Sequence, residues 1–164
     1  MTPQAGVGTG LGGLAAAGAG GSAIAYAAGA FNGNEPTYLS QALKAVSEQN
    51  KEYIGRNVNK KIESLLSEKT GTTPKYLDSL KGAWDRMVDD ANPLLGKPGG
   101  NTSDLFQETK LESKKGEIST YTSKWCEHTA KKTLIEIPKA AGDGKNIWDA
   151  FNEACFWKKA TVSG

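Results

Sequence analysis

The two cysteines are the side chains best suited to covalent chemistry, and each stands beside large aromatic residues. Trp125 precedes Cys126, while Phe156 and Trp157 follow Cys155. One interpretation is a disulfide, which persists outside the reducing cytosol and, by closing a loop of about 30 residues, stabilises a fold by about 3–4 kcal/mol. The other is two free thiols buried among aromatic rings, since cysteine is among the most buried residue types. The cellular compartment decides between them, so both interpretations stay open at this point.

Cys126 also lies two positions before His128, the one histidine of the chain, which suggests cysteine-hydrolase chemistry or half of a metal site. On a helix, residues two positions apart point about 200° apart, so these side chains would diverge. A nucleophile and its base also need a third group that orients the base, and the sequence offers no candidate. One histidine and two cysteines exclude a zinc site of the CxxC…CxxC kind. We therefore expect no catalytic residue, no metal and no cofactor, and a structural role for His128.

Charge argues against nucleic acid as a partner. The chain has 20 basic and 18 acidic residues, a net charge of +2, and its adjacent lysines form isolated pairs rather than a basic patch. No small-molecule substrate is expected either. Most of the four tryptophans are expected to pack in the core. They are Trp84, Trp125, Trp148 and Trp157.

The first 34 residues have a different chemistry from the rest, because the first charged side chain is Glu35. Residues 5–31 form an uncharged run of 27 residues rich in glycine and alanine, and about 20 mostly apolar residues suffice to cross a bilayer. We expect a transmembrane anchor in residues 1–34 and a separate charged domain in residues 35–164. The large apolar residues of the membrane segment include Leu11, Leu14, Ile24, Tyr26 and Phe31.

Three other interpretations of this segment compete with the anchor. A cleaved signal peptide fits the small residues around positions 23–30 but lacks a basic start. A flexible tail fits the glycine content, since glycine costs about 1 kcal/mol per helical residue. The G-x-G-x-x-G match at residues 8–13 resembles a dinucleotide loop, but only seven residues precede it and the required preceding strand is missing.

The charged domain shows helical periodicity and little sign of a sheet. Apolar residues recur at steps of three and four from a cap at Thr37 to a stop at residues 69–71, and Thr73-Pro74 opens a second helix that ends at Asn92-Pro93. Further helices are predicted from Ser103 or Asp104 to Gly116, from residue 117 to 129, and from a cap at Asn146 to 155. Residues 134–137 are strand-like in composition but have no convincing partner. We predict an all-α fold of four or five helices without a sheet.

The order of these features resembles the large families of small uncharacterised proteins of haemotropic mycoplasmas. The matching pieces are the segment 5–31, the Ser-Lys-Trp-Cys sequence at 123–126, and the Trp-Asp-Ala-Phe…Ala-Cys sequence at 148–155. The resemblance implies an N-terminal membrane anchor or signal and a variable, surface-exposed remainder. Those families have no established activity, so the resemblance implies a location and a role in host interaction rather than a reaction.

Two hypotheses about function follow. The first is a membrane-anchored surface protein with an extracellular helical domain that meets a host protein or an antibody and has no catalytic activity. The positive-inside rule would place the domain inside, because Lys44 and Lys51 follow the segment and no basic residue precedes it. We nevertheless expect the outside orientation that the resemblance implies. The alternative is a cytosolic helical interaction module, with a disordered tail and helix 37–68 packed on a partner helix.

Overall fold

A computed structural model describes residues 35–69 and 73–159 of the chain. The prediction of a mainly helical domain is confirmed, but this part has six α-helices rather than four or five, and two short strands. None of the helices described is long and apolar enough to cross a membrane, and the predicted anchor in residues 1–34 lies outside the described residues. The elements are α1 (Tyr38–Val46), β1 (Lys51–Tyr53), α2 (Lys61–Leu66), α3 (Tyr76–Ala83), α4 (Thr102–Leu105), α5 (Glu108–Ala130), α6 (Asp143–Cys155) and β2 (Phe156–Lys158).

The prediction of one helix from Thr37 to residue 69 is wrong beyond Val46. Thr37 does cap α1, because its side chain accepts the backbone N–H of Ser40 while the Ser40 hydroxyl accepts the N–H of Thr37. The chain then turns, forms β1, and resumes as α2. Four residues in and around these turns have left-handed backbone conformations that a continuous helix does not allow. They are Asn50, Asn57, Asn59 and Lys60.

The predicted helix from Thr73 to residue 91 is also shorter than expected. Helix α3 begins at Tyr76, after an N-cap at Lys75, and ends at Ala83, followed by a single 3-10 turn. Beyond the turn, the carbonyl oxygens of Met87 and Val88 accept side-chain hydrogen bonds from helix α5. Those bonds hold the chain away from the helical path, and Val88 is 54% exposed.

The break predicted at Gly116 is absent, since α5 runs through this residue without interruption. Its apolar residues face the core at helical spacing, so packing outweighs the low helix propensity of one glycine. They are Leu111, Ile118, Tyr121, Trp125 and Cys126.

Two predicted caps are displaced. Helix α4 is capped by Asn101, whose side-chain oxygen accepts the N–H of Ser103 at 2.8 Å, rather than by Ser103 or Asp104. Helix α6 begins at Asp143 after Gly142, one turn before the predicted cap Asn146. The backbone of Gly142 has a φ of +148°, which favours glycine.

The prediction that the domain has no sheet is wrong, because β1 and β2 form a small antiparallel pair in which Glu52 lies opposite Trp157 and Tyr53 opposite Phe156. This pair joins residues about 100 positions apart, so no local sequence pattern predicts it. The strand-like residues 134–137 form no strand. Only Thr133 makes a single bridge, to Thr37.

Candidate functional site

The two cysteines meet in the core, where α5 packs against α6. Their side chains are fully buried, and they form a disulfide with a separation of 5.7 Å between the α-carbons, which is typical of such bonds. Of the two interpretations that the sequence left open, the structure has the disulfide. Neither sulfur atom is free to act as a nucleophile or as a metal ligand.

The segment after β1 covers this disulfide. The backbone N–H of Ile54 donates to the carbonyl oxygen of Cys155 at 2.8 Å, and the Ser123 hydroxyl donates to the carbonyl oxygen of Gly55 at 2.6 Å. A β-carbon placed on Gly55 would lie 2.5 Å from the β-carbon of Cys126, so only glycine allows this approach without a shift of the neighbours.

Aromatic residues next to the two cysteines in the sequence pack against other rings of the core. Phe151 lies 5.7 Å from Phe156 and 6.4 Å from Trp125, measured between ring centroids, and Tyr53 lies 5.4 Å from Phe156. Burial, with a smaller contribution from Glu127, raises the pKa of the Tyr53 hydroxyl well above its usual range. This hydroxyl is buried and has no hydrogen-bond partner in the described part of the chain, so it stays protonated and serves as part of the apolar wall.

His128 serves a different purpose from the one that its spacing to Cys126 suggested. Its Nε2 atom lies 3.3 Å from a carboxylate oxygen of Asp90, and the other oxygen of Asp90 accepts from Nζ of Lys132 at 2.5 Å. The Lys132 hydrogen bond holds the pKa of Asp90 below its ordinary value. These contacts tie the last turn of α5 to the segment after α3. The role of Asp90 could not be predicted from the sequence, because its two partners lie far from it along the chain.

The tryptophans are mostly core residues, as predicted. Trp84 and Trp125 are 1% exposed and Trp148 is 8% exposed. Trp157 is half-buried, and its ring packs edge-on against that of Tyr76 at 5.3 Å.

An open cleft of about 440 Å³ lies between the loop after α5 and the start of α6. Most of its lining residues have small side chains, and Lys139 and Lys145 also line it. Lys145 is bound to Asp149 at 2.6 Å, and Lys139 lies 4.0 Å from Glu136. Both ammonium groups already face a carboxylate, so the cleft offers little excess positive charge to an anionic ligand.

Within residues 35–69 and 73–159, no group of three histidine, cysteine or acidic residues is placed to hold a metal ion. The residues that the sequence singled out for chemistry are therefore brought together in structural contacts: a disulfide, an ion-pair cluster and ring packing. No family model, curated protein or solved structure matches the chain.

Proposed function

We propose that this chain is a membrane-anchored surface protein whose domain, residues 35–164, lies outside the cell and binds host proteins or antibodies. Residues 1–34 are the anchor in this proposal, and the domain acts by binding rather than by catalysis. The organisation is the one implied by the resemblance to the surface families of haemotropic mycoplasmas.

The disulfide between Cys126 and Cys155 is the observation that carries the proposal. Cytosolic thiols are kept reduced, whereas structural disulfides are common in exported proteins. This disulfide is fully buried, and Gly55 fits against it so closely that a larger residue would collide with Cys126. A core packed in this way is suited to a compartment in which the bond stays oxidised.

The exposed loops support a role in binding. Leu94 and Val58 are 71% and 64% exposed, and both lie outside the α-helices, on a scaffold held by the disulfide. Loops positioned by a rigid core are where binding residues concentrate. Exposed apolar side chains there supply contact area for a protein partner.

Protease shaving of intact cells, followed by membrane fractionation and blotting for residues 35–164, tests the proposal. We expect the chain in the membrane fraction and the loss of the blotted region on shaving, while a cytosolic marker in the same cells survives. Lysed cells treated with the same protease show that both proteins are cleavable. A membrane-bound region that survives shaving would contradict the outside orientation, and a soluble protected chain would favour the cytosolic interaction module instead.

A further inference from the structure

The loop between α5 and α6, residues 131–142, is bonded to the first residues that the structure describes. The backbone N–H of Leu134 donates to the carbonyl oxygen of Pro36 at 2.8 Å. The side-chain amide of Gln41 donates to the carbonyl oxygens of Leu134 and Ile135, each at 3.2 Å. This loop, which we call the 131–142 loop, therefore lies beside the start of the described domain.

Chain length limits how far this loop lies from the uncharged segment. Phe31, the last large apolar residue of that segment, precedes Pro36 by five positions. An extended chain covers at most about 3.6 Å per residue, so the α-carbons of these two residues lie within about 18 Å of each other. A bilayer has a headgroup layer of roughly 5–8 Å on each side of its hydrocarbon core. If residues 5–31 span a bilayer, the 131–142 loop is within reach of its headgroups.

The side chains of the loop suit that position. Ile135 is 74% exposed, and Lys131 is exposed and forms no ion pair in the described ranges. An exposed apolar side chain and a lysine in the same loop suit the headgroup region, because the first enters the acyl boundary while the long lysine stem carries its ammonium to lipid phosphate. Glu136 and Lys139, both more than 80% exposed, lie 4.0 Å apart, so their charges offset each other.

We infer that the 131–142 loop lies against the bilayer that holds residues 1–34, with Ile135 inserted at the headgroup level and Lys131 on lipid phosphate. This inference rests on the proposed function, since it requires that residues 1–34 are a membrane anchor. The inference adds to the proposed function an orientation of the domain relative to the bilayer. The face around the 131–142 loop is covered by lipid, and the opposite side of the domain is the one that a host molecule meets.

The test uses the full chain, reconstituted in vesicles of phosphatidylcholine and phosphatidylglycerol. An Ile135→Cys variant is labelled with an environment-sensitive fluorophore, and a Val58→Cys variant is the matched control. Val58 is 64% exposed and lies in the turn between β1 and α2. The unsubstituted chain, treated in the same way, measures any labelling of Cys126 and Cys155. A quencher attached near the start of a lipid acyl chain reports contact with the bilayer, and flotation at alkaline pH separately reports whether the chain is anchored.

We expect the chains to float and quenching to be at least about twofold stronger at position 135 than at position 58, as interfacial insertion requires. Equal quenching at the two positions in chains that float would overturn the inference and leave the anchor proposal standing. Chains that fail to float would overturn the anchor proposal and the inference together.

Discussion

Gly55 lies where the backbone after β1 approaches the disulfide most closely. A β-carbon at this position would lie 2.5 Å from the β-carbon of Cys126 and 2.5 Å from the hydroxyl oxygen of Tyr53. Cys126 cannot move aside freely, because it is bonded to Cys155 and lies on a 23-residue helix. The hydrogen bond from Ser123, on the same helix as Cys126, to the Gly55 carbonyl holds the backbone in this close approach. The tolerance for added volume here is therefore small.

We predict that Gly55→Ala lowers the free energy of unfolding by about 1–3 kcal/mol, the usual cost of overpacking a filled core. Urea unfolding of the purified domain under non-reducing conditions measures this change in the free energy of unfolding. Gly116→Ala is the matched control, because Gly116 is exposed within α5 and an added β-carbon meets only the Glu63 carboxylate at 4.0 Å. That control should raise the free energy of unfolding by about 0.5–1 kcal/mol through helix propensity. Equal effects of the two changes would contradict the covering role of Gly55.

The sequence singles out the two cysteines, but it does not predict that they are bonded to each other. Their aromatic neighbours predict burial, which free thiols and a disulfide share equally, and only the packing of α6 on α5 brings the α-carbons to 5.7 Å. Gly55 falls inside the helix predicted from Thr37 to residue 69, whereas the structure requires glycine there because of a contact with a residue 71 positions away. The contact of His128 with Asp90 could not be predicted, because Asp90 lies on a segment whose path is set by tertiary contacts.

At the scale of elements, the carboxylate of Asp89 holds the segment after α3 in place. Asp89 accepts the backbone N–H groups of Leu95, Gly96 and Lys97 at 2.8, 3.0 and 3.3 Å. Nζ of Lys97 in turn donates to the carbonyl oxygens of Trp84 and Met87. Partial desolvation opposes the charge of Asp89, but the backbone hydrogen bonds outweigh it and keep the pKa of this carboxyl below its ordinary value.

The lowered pKa of Asp89 determines how the free energy of unfolding changes with pH. The contribution of Asp89 to stability is present above the unfolded-state pKa of about 3.9 and is lost as the pH falls through the lower folded-state pKa. We predict that Asp89→Asn costs about 1 kcal/mol at pH 7, given the partial exposure of the group, and that this difference from the wild type is smaller at about pH 2, well below the unfolded-state pKa. Urea unfolding at the two pH values measures it.

Asp104→Asn is the control for this prediction. In the described part of the chain the Asp104 side chain accepts no backbone N–H and bonds only the side chain of Gln107, at 3.4 Å. Its replacement should change stability little at either pH. A cost for Asp89→Asn that is the same at both pH values would show that the charge of Asp89 is not what holds the segment.

Helices with a clean apolar stripe could be predicted, whereas interruptions made by distant contacts could not. The cap at Thr37 depends on residues three positions away, and the sequence locates it correctly. The end of α3 depends on Tyr121 and Trp125, which bond the carbonyl oxygens of Met87 and Val88 from another helix. The small sheet depends on residues at opposite ends of the domain. Local periodicity contains no information about such partners.

At the scale of the whole molecule, two links close the described domain. The β1–β2 pair joins the region after α1 to the end of α6, and the disulfide joins α5 to α6 directly before β2. Ile54 connects the two links through its hydrogen bond to Cys155. In the chain-entropy model, a disulfide that closes a loop of this size contributes about 3–4 kcal/mol, a large share of the roughly 5–15 kcal/mol that stabilises a typical domain. The fold is therefore tied to the oxidation state of two residues.

The oxidation state of Cys126 and Cys155 in living cells tests the central claim most directly. Cells are quenched in acid, free thiols are blocked with one alkylating reagent, and disulfides are then reduced and blocked with a second. The tryptic peptides that begin at Trp125 and at Asn146 each contain one of the two cysteines. We predict that both cysteines carry only the second reagent, while thiols of cytosolic proteins in the same sample carry the first. If most chains carry the first reagent on both cysteines, the domain is reduced in the cell, and its placement outside the cell is contradicted.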